Sequence, residues 1–198
     1  MTMIYDSQSL ITKYKNYSNI NQKISIECKK GNLIRIKRGL YTDDLDNDKE
    51  LIANVCYSPS YISFEYALSY YGLIPEFVST YTSAVYGKKN NKFYNLENAS
   101  FEYKSIPNSV FFKGIRILKN EKGFSYKMAT KEKALCDLLY SKYSVRSLYD
   151  LKVLLFEDLR IDYHELLVLD IAFVKDIVPF YHSNTLNTFL KYLLGEIK

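Results

Sequence analysis

The sequence predicts an α+β protein in two parts: a small basic N-terminal part and a larger mixed α/β part that ends in helices. Hydrophobic residues make up 47% and charged residues 25% of the 198 residues, which are globular proportions. Residues 1–42 hold eight Lys or Arg and two acids, a net charge of +6, against −1 for the other 156 residues. Helical apolar spacing opens and closes the chain, and short β-rich segments fill its middle.

The first predicted elements are two short helices. Asp6 or Ser7 can cap the first helix, and Ser18 can cap a second one that runs to about Lys30. Gly31 is placed to end the second helix in a left-handed conformation. The predicted apolar faces are Leu10, Ile11 and Tyr14 in the first helix, and Ile20, Ile24 and Cys28 in the second.

The second helix has a polar face, and a basic hairpin follows this helix in the sequence. Residues 33–36 and 40–42 read as strands around Lys37 and Arg38, with Gly39 supplying a positive φ. This is the layout of a winged helix, here a minimal one with two helices before the wing where three are usual. The residues predicted to bind double-stranded DNA are Asn21, Gln22, Lys23, Ser25, Lys29 and Lys30 on the helix, and Arg35, Lys37 and Arg38 on the wing. The alternative is a solvated basic face on a plain structural hairpin.

An acidic segment from Asp43 to Glu50 separates the two predicted domains, residues 1–42 and 48–198. The segment reads as a linker, in which Asp48 can also cap a helix from Lys49 to Tyr57. A cation site is the weaker alternative, because the spacing lacks the glycine and the distal glutamate of a calcium loop.

The larger domain is predicted to begin with helices, continue with strands and end with helices. Ser63 and Thr130 are its predicted helix caps. The predicted helices are one starting near Leu51, then 64–71, one following Thr130, 146–157, 162–178 and 184–196; the predicted strands are 80–86, 92–96, 100–106, 110–118 and 124–128. The apolar stripe of the last helix is expected to pack on the core, with partner binding as the alternative.

Several chemistries are not expected. Three widely spaced cysteines and two histidines supply very few ligands for a metal or cofactor site. No phosphate-binding loop occurs, and the Pro-Asp pair of a nuclease-like motif is also absent. Glu132 and Lys133 read as exposed charges or salt-bridge partners, and Asp137 as a partly buried capping or pairing residue. The chain is therefore predicted not to be an enzyme. No apolar run is long enough to span a membrane and no secretory signal is evident, so a cytoplasmic location is expected.

Three segments resemble the AbiEi-type antitoxins, in the same order and spacing. They are residues 33–41 (LIRIKRGLY), 61–73 (YISFEYALSYYGL) and 129–139 (ATKEKALCDLL). The resemblance spans roughly residues 5–195. It implies an antitoxin of a type IV toxin–antitoxin system that acts in phage abortive infection.

The resemblance also implies partners and a division of labour. The N-terminal winged helix would repress the shared operon by binding inverted repeats in double-stranded DNA. The C-terminal domain would counter a nucleotidyltransferase-like toxin without forming a stable complex with it. Two alternatives stay open: a stand-alone transcriptional regulator whose second domain only dimerises, and an interaction module that binds its toxin directly.

Overall fold

The computed structural model describes residues 3–44, 49–88, 90–142, 144–145 and 147–196, and the chain is α+β, as predicted. The N-terminal unit, residues 3–44, contains β1 (Ile4–Asp6), α1 (Ser7–Lys13), α2 (Ile20–Lys29), β2 (Ile34–Lys37) and β3 (Leu40–Thr42). Its strands form one antiparallel sheet in the order β1-β3-β2. Strand β1 is absent from the sequence prediction, because three residues are too few to display a two-residue alternation.

A small hydrophobic core of its own holds the N-terminal unit together. Its buried members are Tyr5, Leu10, Tyr14 and Leu33, with Ile20, Ile24 and Cys28 half-buried against them. Asp6 caps α1 as predicted, since its Oδ1 accepts a hydrogen bond from the amide of Ser9 at 2.7 Å. The prediction that Ile11 joins the apolar face is wrong, because Ile11 is 44% exposed. It follows Leu10 by one position on the helix, which turns its side chain away from the core.

Asp43, the first residue of the predicted acidic linker, is tied to β1. Its Oδ1 accepts from the amide of Met3 at 2.8 Å, and its Oδ2 accepts from the hydroxyl of Tyr5 at 3.3 Å. The N-terminal unit therefore extends at least one residue past the predicted boundary. Residues 45–48, which include the predicted cap Asp48, lie outside the described residues.

The body, residues 49–196 as far as they are described, combines one mixed sheet with helices. Its helices are α3 (Lys49–Cys56), α4 (Phe64–Tyr70), α5 (Lys131–Ser141), α6 (Leu148–Lys152), α7 (Tyr163–Leu167), α8 (Ile171–Ile177) and α9 (Asn184–Glu196). Its strands are β4 (Ser60–Ile62), β5 (Thr80–Val85), β6 (Lys92–Leu96), β7 (Ala99–Ser105), β8 (Ile115–Lys119) and β9 (Ser125–Ala129). They form a six-stranded sheet in the order β6-β7-β5-β4-β9-β8, in which β5 and β7, and β4 and β9, run parallel.

Three predicted segments of the body differ from the structure, and one strand is missing from the prediction. The helix break predicted at residues 58–60 is present, since α3 ends at Cys56, but the sequence does not predict β4, a short, fully buried strand that starts at Ser60. The predicted strand 110–118 is a 3-10 turn (Asn108–Val110) followed by β8. The predicted helix 162–178 is divided into α7 and α8, because Asp170 begins α8 by accepting from the amide of Phe173 at 3.0 Å. The predicted helix 146–157 is α6 followed by a π-helical turn (Val153–Asp158).

The last helix follows its predicted bounds. Leu186, Phe189 and Leu193 are buried, and Leu190 is half-buried against the same core. The prediction that this stripe packs on the core is confirmed for these four residues. The predicted stripe also includes Leu194, which is more than a third exposed, and Ile197, which lies outside the described residues.

The N-terminal unit is not free of the body. Ile36 of β2 and Leu40 of β3 belong to the large hydrophobic core that the body builds around its sheet. The wing strands thus have two apolar contacts, one with the small core through Tyr41 and one with the body through Ile36 and Leu40. This packing holds the hairpin at a defined place on the molecule.

Candidate nucleic-acid interface

Helix α2 presents its predicted DNA-binding face to solvent. Its N-terminus is capped by Asn19, whose Oδ1 accepts from the amide of Gln22 at 3.0 Å, and not by Ser18 as predicted. Asn19 has the shorter route to the third helical amide, since it is the residue with extended backbone directly before the first turn. At the other end Gly31 has the predicted left-handed conformation, with φ of +76°.

The side chains on that face are polar or basic, and most of them are exposed. The exposed residues of the predicted set are Asn21, Gln22, Ser25, Lys29 and Lys30. Ile26, in the same row, is also exposed, at 39%. The half-buried stripe of Ile20, Ile24 and Cys28 fixes the opposite side of the helix against the small core, so the exposed face cannot rotate inward.

Lys23 differs from the other predicted DNA-binding residues on α2. Its ammonium pairs with the carboxylate of Glu27 at 2.8 Å and lies 4.6 Å from the ring centroid of Tyr17. Glu27 also accepts from the side-chain amide of Asn32 at 2.8 Å. The bonds from Lys23 and Asn32 hold the pKa of the Glu27 carboxyl below its ordinary value. The charge of Lys23 is thus compensated inside the N-terminal unit.

The wing carries its cations at and beside a two-residue turn. Lys37 ends β2, and Arg38 and Gly39 form the turn before β3, with the predicted positive φ at Gly39, +82°. Arg35 and Arg38 are exposed, and Lys37 is half-buried. The register between β2 and β3 shifts between Arg35 and Lys37, so the strand is irregular where its cations lie.

Two contacts bring α2 and the wing into one surface. The amides of Asn32 and Leu33 both donate to the carbonyl of Glu27, at 3.0 and 3.3 Å, so β2 starts directly against the end of α2. Burial raises the pKa of the Cys28 thiol, and the positive charge of Arg35 opposes that rise, which places Arg35 beside α2. Within the described residues, no carboxylate forms an ion pair with the five remaining cations of the predicted set, Lys29, Lys30, Arg35, Lys37 and Arg38.

A second group of ionisable residues lies deep in the body. Both oxygens of the Asp137 carboxylate are hydrogen-bonded: Oδ1 accepts from Lys133 Nζ at 2.6 Å and from the hydroxyl of Tyr181 at 2.6 Å. Oδ2 accepts from the hydroxyls of Tyr61 at 2.8 Å and Ser63 at 2.7 Å. Burial and the Asp137 charge raise the pKa of both tyrosines far above the ordinary value, so both remain protonated donors.

This network bears on the predictions for α5. Lys133 is a salt-bridge partner, one of its two predicted roles, and Asp137 is a pairing residue, as predicted. Both side chains are fully buried, whereas Asp137 is predicted to be partly buried. Glu132 is also buried, and it accepts from the amide of Asp170 at 3.3 Å. A helical pattern with charges at consecutive positions suggests solvent, but α5 is covered on both sides by other elements of the body. The five side chains of the network are at most 2% exposed.

No protein-family model matches the sequence, and neither does any curated protein. In the part of the chain that the structure describes, no three His, Cys, Asp or Glu side chains are grouped so that they could hold a metal ion. The helices of that part are all too short or too polar to cross a bilayer.

Proposed function

We propose that this chain is a DNA-binding antitoxin that represses its own operon and counters a nucleotidyltransferase-like toxin. The observation that carries the DNA-binding part is the exposed polar face of α2 next to a wing whose cations have no carboxylate partner among the described residues. Exposed and uncompensated cations are free to replace counterions on phosphates, which is the main source of affinity for DNA.

The two elements suit two kinds of contact. Gln22 and Lys29 lie on the exposed face of α2 and end in groups that can hydrogen-bond base edges in a major groove. Arg38 projects from the turn of the wing, where it can contact phosphates beside that groove. The strand order β1-β3-β2 supports a winged helix, because β1 completes the sheet from which the wing extends.

The antitoxin part rests on the three segments that resemble the AbiEi-type family. Two of them meet in the buried network: Tyr61 and Ser63 come from the second segment, and Lys133 and Asp137 from the third. Residues that build one buried network are expected to persist together in proteins that share a body fold. This supports the proposal that the body of this chain shares its fold with the AbiEi-type family. We assign no catalytic step to these residues.

The experiment separates the two activities in the full-length chain. Lys37→Ala combined with Arg38→Ala should weaken binding to a duplex carrying the promoter of its own operon. It should also lower the slope of log affinity against log salt by about 0.9 for each phosphate that the variant no longer neutralises. The same variant, expressed from an unrelated promoter, should still restore growth of cells that express the neighbouring toxin gene.

The outcomes distinguish the proposal from its alternatives. Wild-type protein that binds the promoter duplex but never restores growth would favour a stand-alone regulator. Growth rescue accompanied by stable co-purification with the toxin would favour a direct interaction module. Unchanged DNA binding by the double variant, in a gel-shift titration, would contradict the winged-helix assignment.

A further inference from the structure

Two sheet edges meet where the N-terminal unit packs on the body. Strand β2 is the outer strand of the three-stranded sheet, and β6 is the outer strand of the six-stranded sheet. These two strands contact each other. The wing, which directly follows β2, therefore lies near one end of β6.

The neighbouring end is the start of β6. Lys92 pairs with Tyr103 across the β6–β7 ladder, so the two side chains leave the same face of the sheet. The hydroxyl of Tyr103 donates to the carbonyl of Ala53, on α3, at 2.8 Å. One turn further along α3, burial raises the pKa of the Cys56 thiol, and the hydroxyl of Tyr103 and the positive charge of Lys37 oppose that rise. Lys37 and Tyr103, the register partner of Lys92, therefore lie near the same end of α3.

Lys88, in the loop before β6, lies at the same place. Its ammonium is 5.4 Å from the ring centroid of Tyr57, which follows α3. The ring of Tyr57 packs edge-on against that of Tyr103, with their centroids 5.5 Å apart. Lys88 is thus in the neighbourhood that Lys37 and Lys92 share.

This part of the body is rich in positive charge. Residues 87–96 (GKKNNKFYNL) contain three lysines and no acid. Within the described residues, no carboxylate forms an ion pair with Lys88 or Lys92, and Lys92 is exposed. Lys104, on the adjacent strand, has by contrast carboxylates at 3.3 and 3.4 Å. The positive potential of the N-terminal unit therefore continues onto the body through the two lysines before and at the start of β6.

We infer that Lys88 and Lys92 bind DNA phosphates, so that the DNA interface continues from the wing onto the body. This inference rests on the proposed DNA binding of the N-terminal unit. A duplex whose backbone lies along the wing passes next to the start of β6, because β2 contacts β6 and Lys37 lies near the end of α3 that Tyr103, the partner of Lys92, contacts. The contacts are to phosphates, so they add affinity and salt dependence without adding sequence preference.

The test compares two double variants of equal charge change in the full-length protein. Lys88→Gln with Lys92→Gln removes the inferred contacts. Lys119→Gln with Lys122→Gln removes two exposed lysines at the opposite edge of the same sheet. Gel-shift titrations over a range of salt concentrations would use the promoter duplex and a random-sequence duplex of the same length. The first variant should lower the salt slope by about 1.8 and the affinity about 10- to 30-fold on both duplexes. The control should bind like wild type.

The outcomes separate this inference from the function on which it rests. Wild-type slopes for Lys88→Gln with Lys92→Gln, while Lys37→Ala with Arg38→Ala weakens binding, would refute the inference and leave the proposed function standing. An equal loss in the control variant would also refute it, since net charge alone would then explain the effect. Wild-type protein without affinity for either duplex would overturn both. Lys88→Arg with Lys92→Arg keeps the charge, so restored binding in that variant supports the inference even if the glutamine variant folds less well.

Discussion

The N-terminal unit and the body treat their charges in opposite ways. The body pairs several of its cations within the fold, as at Lys104 with Glu65, Lys113 with Asp176, and Lys133 with Asp137. In the N-terminal unit only Lys23 among the predicted DNA-binding cations has a carboxylate partner within the described residues. A cation that folding leaves uncompensated is available to an external anion. This contrast, more than the total charge, supports the N-terminal unit and the adjoining start of β6 as the anion-binding side.

The two parts also differ in how much hydrophobic core they build. The N-terminal unit has four buried residues in its own core, whereas the body buries residues from nearly all of its elements in one large cluster. A small core leaves little margin above the unfolding threshold. The contacts of Ile36 and Leu40 with the body therefore contribute to holding the N-terminal unit, and with it α2, in place. Variants of the two parts test this contrast, and the largest effect is expected in the body.

Asp137, in the buried ion pair of the body, should be the single position whose substitution lowers the free energy of unfolding most. Asp137→Ala removes the carboxylate at the centre of the buried network and leaves the Lys133 ammonium without compensation. We expect a loss of about 3–5 kcal/mol in the free energy of unfolding, measured by urea denaturation. The exposed pair is the control: Asp176→Ala breaks the 2.9 Å contact with Lys113 and should cost less than about 1 kcal/mol.

A second variant distinguishes charge from packing in that network. Lys133→Met combined with Asp137→Leu replaces both charges with apolar side chains and should recover most of the lost stability. Equal damage from the double and the single variant would contradict this. It would mean that the hydroxyls of Tyr61, Ser63 and Tyr181, deprived of their acceptor, account for the loss.

A cavity in the small core should unfold the N-terminal unit and leave the body folded. Leu33→Ala, at a residue that is 2% exposed, should cost about 2–5 kcal/mol and unfold the N-terminal unit before the body. The expected result is loss of DNA binding together with retained near-ultraviolet circular dichroism from the tyrosines of the body. Ile11→Ala is the matched control, because Ile11 lies on the solvent side of α1. Simultaneous loss of all tertiary signal in Leu33→Ala would indicate that the two parts unfold as one cooperative unit.

Variants of α2 should distinguish residues that contact bases from residues that do not. Lys29→Ala or Gln22→Ala should weaken binding to the promoter duplex by about 1–3 kcal/mol each and affect a random-sequence duplex much less. Lys23→Ala should change binding less than Lys29→Ala, because the Lys23 ammonium is already paired with Glu27. A competition gel-shift with both duplexes measures this. Equal losses for Lys23→Ala and Lys29→Ala would show that the ion pair opens when DNA binds.

The sequence predicts local elements better than it predicts their surroundings. Caps at Asp6 and Thr130 and the left-handed glycines at 31 and 39 depend on neighbouring residues, and the structure has them. Strand β4 and the burial of Lys133 depend on what packs on them from distant parts of the chain, and the local pattern indicates neither. The pairing of Lys23 with Glu27 lies between these cases. Its spacing of four residues on a helix is visible in the sequence, but the amide that Asn32 adds is not.

The smallest expected effect is a pH dependence of the N-terminal unit. The Glu27 carboxyl has a lowered pKa because Lys23, and then Asn32, bond to its charged form. Asp6 has a lowered pKa because the hydroxyl and amide of Ser9 bond to it. A carboxyl with a lowered folded pKa stabilises the fold above its unfolded pKa, about 4 for these side chains. That stability is lost as the pH falls through the folded pKa. Acidification below about pH 4 should therefore loosen the N-terminal unit.

Glu27→Gln provides the decisive measurement for this effect, because it keeps the shape of the side chain and removes the titration. The variant should be less stable than wild type at neutral pH and should converge with it as the pH falls below the folded pKa of Glu27. Fluorescence of a probe attached to Cys28, which is half-buried beside α2, would report the N-terminal unit alone, since Cys56 and Cys136 are fully buried. The Asp6 cap supplies the remaining slope in both proteins. Parallel pH profiles for the two proteins would mean that the Glu27 bonds do not distinguish the folded from the unfolded state.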